Sequence, residues 1–316
     1  MVMAAKSPAR PRIFGLDWGQ LRSTLFSRRS QKRKEEEASR QWFLLCGQRP
    51  QDLTVAPDPR TLEAIIPPPD RFWADPFLWS TEGRQHLFFE EYPYAEGRGR
   101  ISVMAIDSTG KPLGDPEIVL SEPHHLSYPY LFTVDGEMYM VPEQKAARRV
   151  DVYRCVDYPS RFEKVATWFK GVRMVDVTVF EHEGRWWLFC AVKAKGLRYD
   201  ESLCAFYSDH PLKGDWTPHP LNPLVRDFRR GRPGGRVFQD AAGRLLRPSQ
   251  DCRPHYGAGL NLSEIELLTP EAYRERPLWH LSGHEAGGWR GLHHLDIRDN
   301  LMVMDAERTL SKPAMA

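Results

Sequence analysis

Ala74-Asp75-Pro76-Phe77-Leu78-Trp79, a turn at Glu82-Gly83, and Gln85-His86-Leu87-Phe88-Phe89-Glu90-Glu91 read as two antiparallel strands with a carboxylate at each end. The chain repeats this unit. With Asp75 as position zero, Gly83 lies at plus eight and Glu90 at plus fifteen. Counting from Tyr128 without a gap puts Gly136 at plus eight and Glu143 at plus fifteen. A third copy starts at Asp176, with Gly184 at plus eight, and a fourth at Gly235, with Gly243 at plus eight and Gln250 at plus fifteen. A weaker fifth copy runs through His293-His294-Leu295-Asp296-Ile297, an Asp299-Asn300 turn and Leu301-Met302-Val303-Met304. The starts are 53, 48, 59 and about 58 residues apart, and a strand-built repeat of that length is the signature of a propeller.

Each unit extends to four strands. The first continues with Ile101 to Ile106 and Glu117 to Leu120, the second with Val150 to Cys155 and Phe162 to Trp168. The third adds Leu203 to Ser208, and the fourth adds Leu260 to Ile265 and a strand near Pro277 to His280. Ile101 to Ile106 alternates in the strand period, and the units as a whole are rich in Val, Phe, Tyr and Trp. Helical periodicity is nearly absent; Thr269-Pro270-Glu271-Ala272-Tyr273 alone reads as a short helix, with Thr as cap and Pro first. The fifth copy has only two strands, while the runs at 42–46 and 62–66 are left over at the other end. Joining them closes the ring and leaves few exposed edges. The fold expected is all-β, a five-bladed β-propeller over residues 41–308. A charged arm is expected over 1–40 and a flexible tail over 309–316.

Composition bounds the function. Net charge is +2, so no strong overall field favours nucleic acid or an anionic membrane. No apolar run approaches the length of a membrane span, and the arm lacks the apolar region of a secretory signal. Five dispersed cysteines (46, 155, 190, 204, 252) without a CxxC pair suit reduced thiols and a cytoplasmic location.

In a propeller the innermost strands line a central channel, so position zero of every copy meets at one mouth and position fifteen ends beside it. Asp75, Tyr128, Asp176, Gly235 and His293 should cluster there with Glu90, Glu143, Ala191, Gln250 and Glu307. Asp251, His294 and the aromatics Trp73, Tyr128 and Tyr130 are expected nearby, the rings for stacking on sugars. Carboxylates, amides and histidines in one funnel suit sugar recognition, and a carboxyl pair suits glycosidic chemistry, because crowding of like charge keeps one of them protonated. Asp75, Glu143, Asp176 and Glu90 are the candidate catalytic residues. Tyr128, Arg236, Gln250, Asp251, His293, His294 and Trp73 are the candidate substrate contacts. Arg232 and Arg236 lie in a Gly-rich segment without the helix that a phosphate-binding loop needs; either a clamp on an anion or an exposed loop fits them. Neither a cofactor nor a metal is expected, since the histidines lack ligand spacing.

Phe72-Trp73-Ala74-Asp75-Pro76-Phe77, His125-Leu126-Ser127-Tyr128-Pro129-Tyr130, Met140-Val141-Pro142-Glu143 and Arg247-Pro248-Ser249-Gln250-Asp251-Cys252 with Tyr256-Gly257 carry a resemblance. Over about residues 70–305 the chain resembles the N-terminal propeller-like domain of plant glucosamine inositolphosphorylceramide transferases and of bacterial proteins linked to surface polysaccharides. In that family transferase chemistry is attributed to a separate C-terminal domain. This chain ends where that domain would begin, so transferase activity is not expected to carry over. More distantly the fold resembles the five-bladed furanosidases, whose first-blade Asp is base or nucleophile. The resemblance implies that role for Asp75 and an accessory role for Asp176. The fourth blade opens with Gly235-Arg236 where those families have the acidic Glu, leaving Glu143, Glu90 or Asp251 as substitutes. The functional expectation is hydrolysis of a glycosidic bond in a polysaccharide or glycolipid glycan. The alternative is a non-catalytic glycan-binding or scaffold propeller acting with a glycosyltransferase, and a weaker third reading is a protein-interaction propeller.

Overall fold

The computed structural model describes residues 40–310 except Glu82 and Gly214. Most of the expected arm and tail therefore lie outside the described residues. The first two strands, β1 (Arg40–Gln48) and β2 (Glu63–Ile65), belong to the last blade. Blade I is β3 (Arg71–Thr81), β4 (Arg84–Pro93), β5 (Arg100–Ile106) and β6 (Glu117–Leu120). Blade II is β7 (Ser127–Val134), β8 (Glu137–Glu143), β9 (Val150–Asp157) and β10 (Arg161–Trp168). Blade III is β11 (Met174–His182), β12 (Arg185–Val192), β13 (Ser202–Ser208) and β14 (Thr217–Pro218), with β15 (Val225–Arg226) also pairing on β13. Blade IV is β16 (Phe238–Gln239), β17 (Leu245–Asp251), β18 (Gly259–Leu268) and β19 (Tyr273–Ser282). Blade V has the order β2-β1-β21-β20, from β20 (Leu295–Arg298) and β21 (Leu301–Thr309). The five-bladed propeller is the observed fold, and strands from the two ends of the domain complete its last blade.

Both faces of each blade are covered by neighbours, so successive residues of a strand feed opposite cores. Leu44 and Cys46 pack with Leu78, Leu87 and Phe89 between blades V and I. Phe43 and Leu45 turn the other way, onto Leu246, Leu260 and Leu262 of blade IV. Phe77 and Phe88 face blade II through Tyr130 and Met140. Phe180, Trp187 and Phe189 meet Leu245 and Ile265 between blades III and IV. This explains why the strands read as nearly continuous apolar runs.

The glycines at plus eight take positive φ, at 73°, 80°, 70° and 78° for Gly83, Gly136, Gly184 and Gly243, which their tight hairpin turns demand. The helix expected from Thr269 does not form. Its hydroxyl accepts from the backbone N–H of Glu271 and Ala272, closing a turn between β18 and β19. The helix is instead α1 (Gly283–Gly287), where Ser282 and Glu285 make reciprocal capping bonds.

Candidate functional site: a buried carboxyl layer in the central funnel

The repeat builds the site through one backbone device. Ala74 pairs with Glu90, Ser127 with Glu143 and Val175 with Ala191, and beyond each pair the inner strand bulges. The bulge begins at position zero. Asp75, Tyr128 and Asp176 take φ of 52°, 45° and 54° there, and Gly235 takes 140°. A side chain in that region costs about 1–3 kcal/mol. Gly235 is excused for a second reason, since a Cβ on it would lie 1.8 Å from the Leu295 carbonyl oxygen.

Asp75 is 6 % exposed and sits beside a histidine pair. Its Oδ1 is 3.6 Å from His293 Nε2 and 3.7 Å from His294 Nδ1. Behind them, Asp305 accepts from the backbone N–H of Asp75, His293 and His294 and contacts His293 Nδ1 at 2.8 Å. Trp42 stacks on the His293 ring at 4.1 Å, and Tyr256 meets its edge at 5.3 Å. Burial disfavours a charged His293, but Asp305 and Asp75 outweigh it and hold the imidazole above its usual value. Burial brings His294 down to about 3; its ring packs edgewise on Phe77, and neither ring nitrogen has a hydrogen-bond partner.

Across the funnel Arg232 organises the other acids. Its Nε donates to Asp176 at 2.6 Å and its Nη1 to Asp200 at 3.2 Å, while Nη2 lies 3.3 Å from Asp176 and 3.8 Å from Glu143. Gln250 Nε2 reaches Asp176 at 3.4 Å, and Lys145 Nζ reaches Glu143 at 3.3 Å. Glu90 faces His125 at 3.5 Å, and its Oε1 has no hydrogen-bond partner. Burial dominates the proton affinities. Aided by Asp305, Asp176 and Glu143 against His293, it pushes Asp75 up to about 7. Burial and Glu143 push Asp176 up to about 6 against Arg232. Burial, Asp75 and Glu143 push Glu90 well above the usual carboxyl range. Burial and Lys145 bring His125 down to about 4. Near neutral pH the layer therefore both holds and releases protons.

Asp75, Glu90, Glu143, Asp176, Gln250, His293 and His294 thus come together. Tyr128 forms the floor below them; it is fully buried, its hydroxyl bonded to Thr178 and the Gly235 carbonyl. Other expectations need correcting. Trp73 is 5 % exposed and packs on Phe89 between blades V and I. The bulge reverses strand parity, so Trp73 shares a face with Leu78 rather than with Asp75. Arg236 lies deeper in the channel, sealed against Asp296, the Leu131 carbonyl and the rings of Phe77 and Tyr130. Tyr130 donates its hydroxyl to the Val179 carbonyl and is equally sealed. Asp251 alternates with Gln250 and points away, to His280 at 3.1 Å. Glu307 bonds Arg290, and Asp305 takes the place expected of it.

Arg232 is a central member of the site that the sequence leaves open; Tyr256 enters the sequence reading only through the resemblance, and Lys145 and Asp305 do not enter it. Tyr256 is 42 % exposed, with Arg232 4.8 Å from its ring centre, so it offers the open aromatic face that Trp73 does not. One arginine of several in the Gly- and Pro-containing loop 229–236 carries no period to read; its burial depends on close approach of the backbone. Asp75, His293 and Asp305 each bring one ligand-capable atom within 4.8 Å of the others. Asp305 already accepts four contacts, which leaves it little capacity for a cation.

The family model for "Glucosamine inositolphosphorylceramide transferase 1, N-terminal" matches residues 63–305. Glucosamine inositolphosphorylceramide transferase 1 of Arabidopsis thaliana is 36% identical over 259 residues, 77% of this chain and 33% of that protein. The Oryza sativa subsp. japonica protein of the same name is 34% identical over 259 residues, 77% of this chain and 34% of its own length. The chain thus spans about a third of these relatives. Among solved structures, the catalytic domain of the GH62 α-L-arabinofuranosidase of Coprinopsis cinerea aligns with a TM-score of 0.55 at 10% identity, covering 85% of this chain and 98% of that one. The exo-β-1,3-galactanase 1,3Gal43A of Clostridium thermocellum also gives 0.55, at 12% identity, over 74% of this chain and 59% of that one. At these identities the likeness is one of fold.

Proposed function

The chain belongs to the family of the glucosamine inositolphosphorylceramide transferase 1 N-terminal domain, and on that premise we propose that its funnel binds a glycan and hydrolyses a glycosidic bond. The observation that carries this reading is the pair Asp75 and Asp176. Both occupy the same strained bulge in different blades, and burial raises both carboxyls, Asp75 to about 7 and Asp176 to about 6. Strain of this kind, together with displaced proton affinities, gathers at working sites. In the reaction Asp75 takes a proton from a water whose oxygen bonds to the anomeric carbon. Glu90, protonated by its burial, gives a proton to the leaving glycosidic oxygen as that bond breaks. His293, oriented by Asp305, supports the charge on Asp75. Asp176, Gln250 and Glu143 hold hydroxyls, and Tyr256 gives the sugar a stacking face.

The test is depletion of a broad set of polysaccharides and glycolipid glycans by the wild-type chain and by Asp75→Asn. The expectation is a loss of turnover of at least about 10²-fold with binding retained. A wild type that neither cleaves nor retains any glycan overturns the reading.

A second reading has its own support. Arg232 stands between Asp176 and Glu143, and blade IV opens on Gly235 rather than on a carboxyl. These features suit a non-catalytic glycan-binding module working with a glycosyltransferase. Binding without turnover by the wild type selects it. The five unpaired cysteines support a reducing compartment, the cytoplasm, for either role.

A further inference from the structure

The net charge of +2 conceals two unlike faces. Connections from second to third strands, and from one blade to the next, all lie on the mouth side; hairpin turns and the links to fourth strands lie opposite. In blades II to IV the mouth segments 144–149, 169–173, 193–201, 227–232 and 252–258 carry twelve Lys or Arg and three Asp or Glu. The opposite segments 135–136, 158–160, 183–184, 209–216, 240–244 and 269–272 carry two and six.

On the mouth side one cluster is built rather than merely exposed. Arg198 and Arg253 both lie over the Phe228 ring, at 5.5 and 4.9 Å from its centre. Among the described residues neither guanidinium has an ion-pair or hydrogen-bond partner. Their support is firm. Cys252 N–H donates to the Phe228 carbonyl at 2.8 Å, Asp227 N–H to the Glu201 carbonyl at 2.7 Å, and Asn261 Nδ2 to the Arg229 carbonyl at 2.6 Å. A Cβ on Gly231 would stand 2.2 Å from the Glu201 carbonyl oxygen, so the two loops are laced backbone to backbone. The cluster adjoins the funnel, because Asp200 binds Arg232 and Cys252 follows Gln250 by two residues.

We propose that Arg198 and Arg253, held on Phe228, form an anion subsite at the funnel rim, and that the glycan taken by the funnel carries carboxylate or phosphate groups. The inference rests on the reading of the funnel as a glycan site. Two cations fixed on one ring repel each other, and an oxyanion between or beside them relieves that repulsion while accepting forked hydrogen bonds. The surrounding basic loops draw such a chain in and repel cationic ones.

The experiment is affinity electrophoresis of the wild type and of Arg198→Ala/Arg253→Ala in gels containing polygalacturonate, a phosphodiester-linked polysaccharide, or a panel of neutral polysaccharides. Lys213→Ala on the opposite face is the control, and circular dichroism checks the fold. The wild type should bind at least one acidic polymer, and which one distinguishes carboxylate from phosphate. The double variant should bind that polymer about tenfold more weakly, as expected for lost charge-assisted bonds, with neutral binding and the control unchanged. Neutral binding alone, or acidic binding that the double variant retains, overturns the subsite and leaves the funnel reading standing. No binding to any polymer overturns both. Binding to anionic phospholipid vesicles that needs both arginines, with no acidic polysaccharide bound, overturns the subsite in favour of a membrane surface.

Discussion

The channel has two charged layers that solve burial differently. In the lower one Arg236 and Asp296 are matched one to one: Arg236 Nε donates to Asp296 at 2.8 Å, Leu78 N–H donates to Asp296 at 2.7 Å, and Arg236 also caps the Leu131 carbonyl. Nothing there is left for a ligand. In the upper layer Asp75, Glu90, Glu143, Asp176 and Asp305 share Arg232, Lys145 and His293, and the shortfall of positive charge is met by protons. The lower pair is balanced by a counter-charge, whereas in the upper layer burial and crowding of like charge raise the proton affinity of Asp75, Asp176 and Glu90.

The largest test of this contrast is Arg236→Met. It strands Asp296 without a counter-charge, and chemical denaturation should show a loss of about 3–5 kcal/mol. A loss well below that range would mean that the lower layer, too, can borrow protons. Next is Asp75→Asn, read against pH. Its carboxyl is raised from 3.8 to about 7 on folding, so its contribution to stability is fully present below about pH 4 and is lost as pH rises through about 7. The variant should match the wild type near pH 4 and exceed it by roughly 1–3 kcal/mol at pH 8. A difference that does not change with pH would remove Asp75 from the proton-carrying set. Arg232→Met should cost about 1–2 kcal/mol at pH 8 and less at pH 5, where Asp176, raised to about 6, takes a proton instead. An equal cost at both pH values would make Arg232 a structural cation like Arg236. The smallest effect belongs to Lys145→Ala, whose half-exposed pair with Glu143 should be worth under about 1 kcal/mol in thermal unfolding.

The ring was legible because turn glycines leave a regular mark: a hairpin-turn position with positive φ admits few residues, so Gly83, Gly136 and Gly184 in two-residue turns and Gly243 in a five-residue one recur in register. Asp75 and Asp176 were legible for the same reason, by counting from those glycines. Side-chain direction was not. A bulge that sets two residues against one changes which face follows, and this moved Trp73 into a blade interface. Depth was invisible as well; Arg236 belongs to the repeat as clearly as Asp176, yet it lies a layer below. Arg232 and Tyr256 sit in connections, where position depends on the packing of one backbone on another. At Thr269 a local hydroxyl turn outcompeted the helix because only four residues separate two long strands.

Closure of blade V has a bearing on anything joined to this domain. Arg308 reaches Gln41, while Arg49 N–H bonds the Asn300 carbonyl. β1 therefore departs from, and β21 arrives at, the rim beside Asp305. Both points of attachment open onto the funnel side, and a neighbour tethered at either one starts its reach within sight of whatever the funnel holds.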